Sequence, residues 1–209
     1  MKKLITTIAL LSTFTATLQA EQKSGCILAQ KGKVTAAWMA YKTPLKVGVS
    51  GVFDDVKYKS VAKEGKNFRE ILVGSSVTIE TKSVNSKNAP RDAKLVKFFF
   101  NSMNSQSIQA IIVDIKADER IKNKPRTGIV TLDIIMNGVK KRVPLKYNFK
   151  DSVFSAKGVI DILDFSAQPA LSAINKACYS LHKGKTWSDV TIAFTTHIEA
   201  ILCNAKSIK

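Results

Sequence analysis

Asn137-Gly138 constrains this chain more than any other pair of residues. Asn-Gly accepts positive φ at both central positions and marks a two-residue type I′ hairpin turn. Residues 128–149 alternate around it, and the loop length sets the register. Met136 opposes Val139, Ile134 opposes Lys141, Leu132 opposes Val143 and Val130 opposes Leu145. One face carries Val130, Leu132, Ile134, Met136, Val139, Val143, Leu145, Tyr147 and Phe149, with Lys141 as a charged intruder near the turn. The other carries Thr131, Asp133, Lys140, Arg142, Lys146 and Asn148, with Ile129 and Ile135 as apolar exceptions. Asp133 faces Arg142 as a cross-strand ion pair. So long an apolar face must be covered by a core or by a ligand.

The same alternation recurs along the chain. Strands are predicted at 33–42 (Val34, Ala36, Trp38, Ala40 on one face), 45–56 (Val47, Val49, Phe53), 75–84 and 106–117 (Ile108, Ala110, Ile112). After the hairpin come 152–163 and a long strand over 189–202, with Val190, Ile192, Phe194 and Ile198 on one side. Phe68, Ile71 and Leu72 suggest a short helical cover in the lysine-rich stretch 58–74. Two helices interrupt the strands. One opens at Asn88-Ala89 with Pro90 at N1 and runs to about Met103; the other opens between Ser166 and Pro169 and ends at Gly184. About eight strands of this kind give an all-β fold, an eight-stranded antiparallel up-and-down barrel with two short covering helices. Such a barrel is either filled by side chains or holds one small ligand.

The N-terminus reads as something apart from that barrel. Lys2 and Lys3 precede an apolar run from Leu4 to Leu18, and Leu18-Gln19-Ala20 offers a small residue for cleavage. Residues 1–20 are expected to be a cleaved signal peptide, leaving 21–209 as a single exported, periplasmic domain. The run is shorter than the ~20 residues a spanning helix needs.

Net charge is +17, or +15 without Lys2 and Lys3. Export and the lack of any nucleic-acid-binding signature argue against nucleic acid. Dispersed lysines suit a solvated basic surface with general affinity for an anionic membrane; a specific phosphate site is the sharper alternative. Of Cys26, Cys178 and Cys203, the first precedes the first strand and the third ends the last. Those strands pair in a closed antiparallel barrel, which favours a Cys26–Cys203 disulfide with Cys178 a buried thiol. The other two pairings remain open.

Residues that carry chemistry are scarce. His182 and His197 have no partners at metal-ligand spacing, so no metal or cofactor is expected. Motifs of nucleophilic, metallo- and nucleotide enzymes are missing, and Asp161 and Asp164 fall on opposite faces of a strand. Ser155, Asp161 and Asp114 are the only loose candidates for an enzyme, and none is expected to be one. The aromatic run Phe98-Phe99-Phe100 is more telling. It either plugs the barrel as a lid or, with Met103, lines the entrance of an apolar cavity walled by Trp38, Val49 and Phe53. Long strands favour an elongated cavity and hence a long acyl or isoprenoid chain.

The segment 88–101, NAPRDAKLVKFFFN, resembles the helix motif R-D-x-x-L…D-F-F of the YceI family of exported lipocalin-like proteins. Arg91, Asp92, Leu95 and Phe100 match, while Phe99 stands where an acidic residue is common and Asn101 where a second Phe is common. Gly138, Val139, Lys141, Val143 and Leu145 match the family's G-V-T-K-P-V-T-L hairpin, with Arg142 in place of Pro. Asp164-Phe165-Ser166 resembles D-F-G, with Ser166 for Gly, and 189–200 resembles the final strand. The resemblance spans roughly 34–200. It implies a lipocalin-like barrel that binds a polyisoprenoid, fatty amide or similar long-chain lipid in the periplasm, as a homodimer. The expected ligand-contacting set is then Trp38, Val49, Phe53, Phe98, Phe99, Phe100, Met103, Ile112, Val130, Leu132, Ile134, Val143, Leu145, Ile192 and Phe194. The helix 170–183 is longer than the usual connection and could reshape the cavity mouth. An alternative is a stress or interaction protein that uses the barrel without a dedicated lipid.

Overall fold

The computed structural model describes residues 26–203; the expected signal peptide and its cleavage site lie outside them. The strands are β1 (Cys26–Lys42), β2 (Val47–Phe53), β3 (Val56–Lys59), β4 (Glu64–Gly65), β5 (Ser76–Glu80), β6 (Val84–Asn85), β7 (Ser107–Ala117), β8 (Arg126–Met136), β9 (Val139–Lys150), β10 (Val153–Asp161) and β11 (Thr186–Cys203). Helices α1 (Phe68–Leu72), α2 (Ala89–Lys94), α3 (Gln168–Ala177) and α4 (Tyr179–His182) complete the regular structure. No helix among the described residues is long and apolar enough to cross a membrane.

All ladders are antiparallel, in the order β3-β5-β7-β8-β9-β10-β11-β1-β2-β6, with β4 on β1. There are thus eleven strand segments rather than the eight expected. Of the three additional segments, one is the two-residue β4 and two come from bends. β2 bends into β3 at Asp54-Asp55, and β5 bends into β6 through a 3₁₀ turn at Thr81–Ser83. At that corner Asp54 N–H donates to Ser83 O at 3.0 Å, and Glu80 N–H donates to Asp55 O at 3.2 Å. The two bent strands stay paired across the kink, so the ladders return on themselves as a curled lipocalin-like barrel.

The hairpin register is as the turn dictates, from Met136↔Val139 through Val130↔Leu145. Asn137 and Gly138 have φ of 53° and 78°, the positive pair of a type I′ turn. Asp133, only 4% exposed, accepts from Arg142 Nε and Nη2 at 2.7 and 3.0 Å and from Lys140 Nζ at 2.9 Å. These cations, Arg142 foremost, hold its carboxyl well below the usual carboxylate range. β1 begins at Cys26 rather than near residue 33, and its pairing with β11 slips between Lys31 and Thr35. Cys26 is disulfide-bonded and stands opposite Cys203 in that ladder; Cys178 is a free, buried thiol.

α1 plugs one end of the barrel. Asn67 caps it by accepting from Glu70 N, and Arg69 pairs with Asp114 on β7. Phe68 points inward, its ring edge-on to Tyr147, Phe149 and Phe154 at 6.0, 4.9 and 5.2 Å. Gly128 makes room for this aromatic cluster: at φ 156°, a Cβ there would sit 2.6 Å from the Tyr147 ring.

The two longer helices differ from expectation in detail. Asn88 caps α2 by accepting from Arg91 N, but the helix then widens into a π turn over Leu95–Phe99 and tightens to 3₁₀ over Phe100–Ser102. The second helix is broken at Cys178 into α3 and α4. Both span the end of the barrel opposite α1.

Candidate ligand-binding site

Two adjoining chambers with shared wall residues lie along the barrel interior. The inner one, about 130 Å³, lies among Leu72, Ile79, Ala110, Ile112, Leu132, Ile134, Leu145 and Phe194. The outer one, about 350 Å³, lies beneath α2 and α3 and reaches the open end. Trp38, Phe53, Ile108, Met136, Ile160 and Ile192 line both and form the neck between them. The combined space falls in the roughly 300–1,000 Å³ range of small-molecule sites. The inner wall is almost wholly apolar and therefore favours hydrocarbon.

Local sequence explains the neck. Trp38 on β1 sits opposite Gly51 on β2. A Cβ on Gly51 would lie 2.6 Å from the Trp38 ring and 2.6 Å from Asn85 O, so glycine there lets the indole lie across the neck. The π turn sets the lid. One extra residue per turn brings Leu95, Phe99 and Phe100 to the outer chamber, while Phe98 is half-buried beneath the Lys97 ammonium and touches neither chamber. Phe100 stacks edge-on to Phe53 at 6.0 Å and to Phe99 at 5.1 Å, closing lid onto wall.

Of the residues expected to touch a ligand, Trp38, Phe53 and Ile192 lie in the neck. Val49, Phe99 and Phe100 lie in the outer chamber, and Ile112, Leu132, Ile134, Leu145 and Phe194 in the inner one. Met103, Val130 and Val143 are buried but border neither chamber. Val130 is fully enclosed in the packed layer. Ile108 and Met136, on the apolar strand faces read from the sequence, and Ile160 complete the neck, although none of the three is in the expected ligand-contacting set. Ser155, Asp161 and Asp114 line neither chamber. Ser155 donates to Asn148 O, Asp161 caps the 3₁₀ turn at Leu163, and Asp114 pairs with Arg69.

The outer chamber ends in a polar rim of Lys42, Asn88, Arg91, Lys94, His182 and Thr186. His182 Nδ1 lies 2.7 Å from Thr186 Oγ1, whose own hydrogen goes to Asn175 Oδ1 at 2.9 Å. Thr186 therefore accepts from His182, which fixes Nδ1–H and leaves Nε2 as the other ring nitrogen. Burial, then the charges of Lys42 and Lys94, push the imidazole below its ordinary pKa. Nothing in the sequence groups these residues, since they come from four separate segments.

A family model, the YceI-like domain, matches residues 27–198. No curated protein matches the chain by sequence. Among solved structures, a polyisoprenoid binding domain from Saccharophagus degradans is similar with a TM-score of 0.57 and 14% identity, covering 83% of this chain and 98% of that one. BcnA from Burkholderia cenocepacia is similar with a TM-score of 0.53 and 12% identity, covering 79% and 96%. A Campylobacter jejuni YCEI protein shares 24% identity over 69% of this chain and 81% of that one, with a TM-score of 0.47.

Proposed function

The chain belongs to the YceI-like domain family, and on that premise we propose that it is an exported protein that binds a long-chain isoprenoid or similar amphiphilic lipid in its barrel. The observation that carries this reading is the pair of apolar chambers that share the Trp38–Phe53 neck and extend from the polar rim to Leu72 and Leu145. Burying a methylene is worth ~0.8 kcal/mol, so about ten of them give tight binding with no catalytic group. The Saccharophagus relative of the same fold is described as polyisoprenoid-binding, which agrees with a single long tail. Binding rather than catalysis is the reading the chambers favour, because the inner wall is almost wholly apolar and Thr186, the hydroxyl beside His182, donates its hydrogen to Asn175 and not to the imidazole.

Exchange of the lipid with an anionic membrane surface belongs to the same proposal. Leu45, Tyr179 and Leu181 are 85%, 65% and 61% exposed. Leu181 borders the outer chamber, and the turn bearing Leu45 is held to the segment after α4 by Thr43 N–H donating to Lys185 O at 2.8 Å. Exposed Lys46, Lys183 and Lys185 accompany these apolar tips. Organic extraction of the purified mature protein followed by mass spectrometry tests the reading. A long-chain lipid in about one equivalent is expected. An empty protein that also takes up no added farnesol or geranylgeraniol would refute it.

A further inference from the structure

Almost every cationic side chain of the described residues faces water. Among the described residues, Lys42 and Lys94 are the only lysines, and Arg91 the only arginine, that are partly buried rather than exposed. All three border the outer chamber, together with His182. No aspartate or glutamate borders that chamber, and none of the three cations forms a salt bridge or a side-chain hydrogen bond. Partly desolvating a cation without a counter-charge is unfavourable. Three such groups converge here from β1 and α2, at the only polar end of an otherwise apolar path.

We propose that this rim holds the anionic head group, a carboxylate or a phosphate, of the amphiphile whose tail fills the barrel. The proposal rests on the reading of the chambers as a long-chain site and adds the chemical class of the ligand. Lys42 from β1 and Lys94 from α2 supply point charges, and the Arg91 guanidinium can donate two parallel hydrogen bonds to one anion. His182 is already oriented by Thr186 and Asn175, so its Nε2 becomes a further donor once the ring is protonated. The two lysines that depress the imidazole pKa are the groups an anion would neutralise, so occupancy and His182 protonation are linked.

Trp38 and Trp187 are the two tryptophans of the chain, and both border the outer chamber, so their fluorescence reads occupancy directly. The delipidated protein is titrated with two pairs of matched tail: palmitate against palmitamide, and geranylgeranyl phosphate against geranylgeraniol. At least one anionic member is expected to bind at least about tenfold tighter than its neutral partner, an advantage that shrinks with salt. Which pair shows it distinguishes a fatty acid from a prenyl phosphate. In a K42Q/R91Q/K94Q variant the ratio should fall towards one, whereas K97Q, an exposed site off the chamber, should retain it. Equal, tight binding of all four ligands by the wild type overturns the anionic head group and leaves the long-chain site standing. Binding of none overturns both. A second measurement needs no variant: the NMR titration midpoint of His182 should rise when the anionic ligand binds and stay unchanged with its neutral partner. An unchanged midpoint with the anionic ligand bound overturns the proposal.

Discussion

Ala110 offers the sharpest way to separate tail binding from fold stability. It sits on β7 between Val77 and Ile134 in the ladders and borders the inner chamber. An empty cavity costs about 24 cal/mol per Å³, so the 130 Å³ chamber leaves the delipidated fold about 3 kcal/mol short of a packed one. Ala110→Phe fills part of that space. Strain from inserting a ring takes back roughly 1–2 kcal/mol, so a net gain of about 1 kcal/mol in urea unfolding is expected. The same ring displaces the end of a long tail. Losing room for about four methylenes at ~0.8 kcal/mol each lowers the affinity for geranylgeraniol by about two orders of magnitude. Geraniol is short enough to stay in the outer chamber and should bind almost as before. Tryptophan fluorescence titrations of both alcohols read this out alongside the unfolding curves. A variant that is destabilised and still prefers the longer alcohol by the wild-type ratio would show that the inner chamber is not the tail site.

Further expectations concern the scaffold. Phe68→Ala removes the ring that meets Tyr147, Phe149 and Phe154 and should cost about 3–5 kcal/mol of unfolding free energy; a loss under about 1 kcal/mol would remove α1 from the core. Ser166 holds a left-handed conformation at φ 55°, so Ser166→Gly should gain about 0.5–1 kcal/mol, and a loss would mean the seryl side chain matters there. Because the Asp133 carboxyl is depressed in the folded state, its contribution is complete above the ordinary carboxylate pKa and fades as pH falls towards the folded value. Stability of Asp133→Asn should therefore fall less steeply than wild type below about pH 4 and run parallel to it near pH 7; identical acid limbs would refute the coupling. Intact mass of the exported protein should begin at Glu21, and a chain retaining Met1 to Ala20 would contradict the signal peptide.

Much of the barrel was legible because local rules govern it. The Asn137-Gly138 turn fixes register through backbone geometry alone, and every cross-strand pair read from it is present. What the turn hides is its tertiary role: Asn137 Oδ1 accepts from Asn104 N, and its Nδ2 donates to Phe165 O and Ser166 O, tying the hairpin to both covers. The substitution of serine at 166 hides a second such feature, because only the dihedral shows why glycine suits that position. Phe99 and Phe100 were placed at the entrance, but the π turn that rotates Phe98 out of line has no signature in a run of three identical residues. The bends that split two strands into four segments lie at Asp54-Asp55 and Thr81–Ser83, where the apolar positions shift by one, from Phe53 to Val56 and from Ile79 to Val84, a slip too short to announce a bend by itself. The cationic rim escaped for a different reason. Lys42, Arg91 and Lys94 are unremarkable among 33 lysines and arginines, and nothing links them to His182 until the fold buries them together.

A crystal structure of the mature protein loaded with geranylgeranyl phosphate tests the central claim most directly. One elongated ligand is expected, its head group within hydrogen-bond reach of Arg91 and Lys94, its tail passing between Trp38 and Phe53 and ending near Leu145. A ligand seated outside the barrel, or a collapsed interior with Trp38 and Phe53 packed across the neck and no tail beyond them, would contradict it.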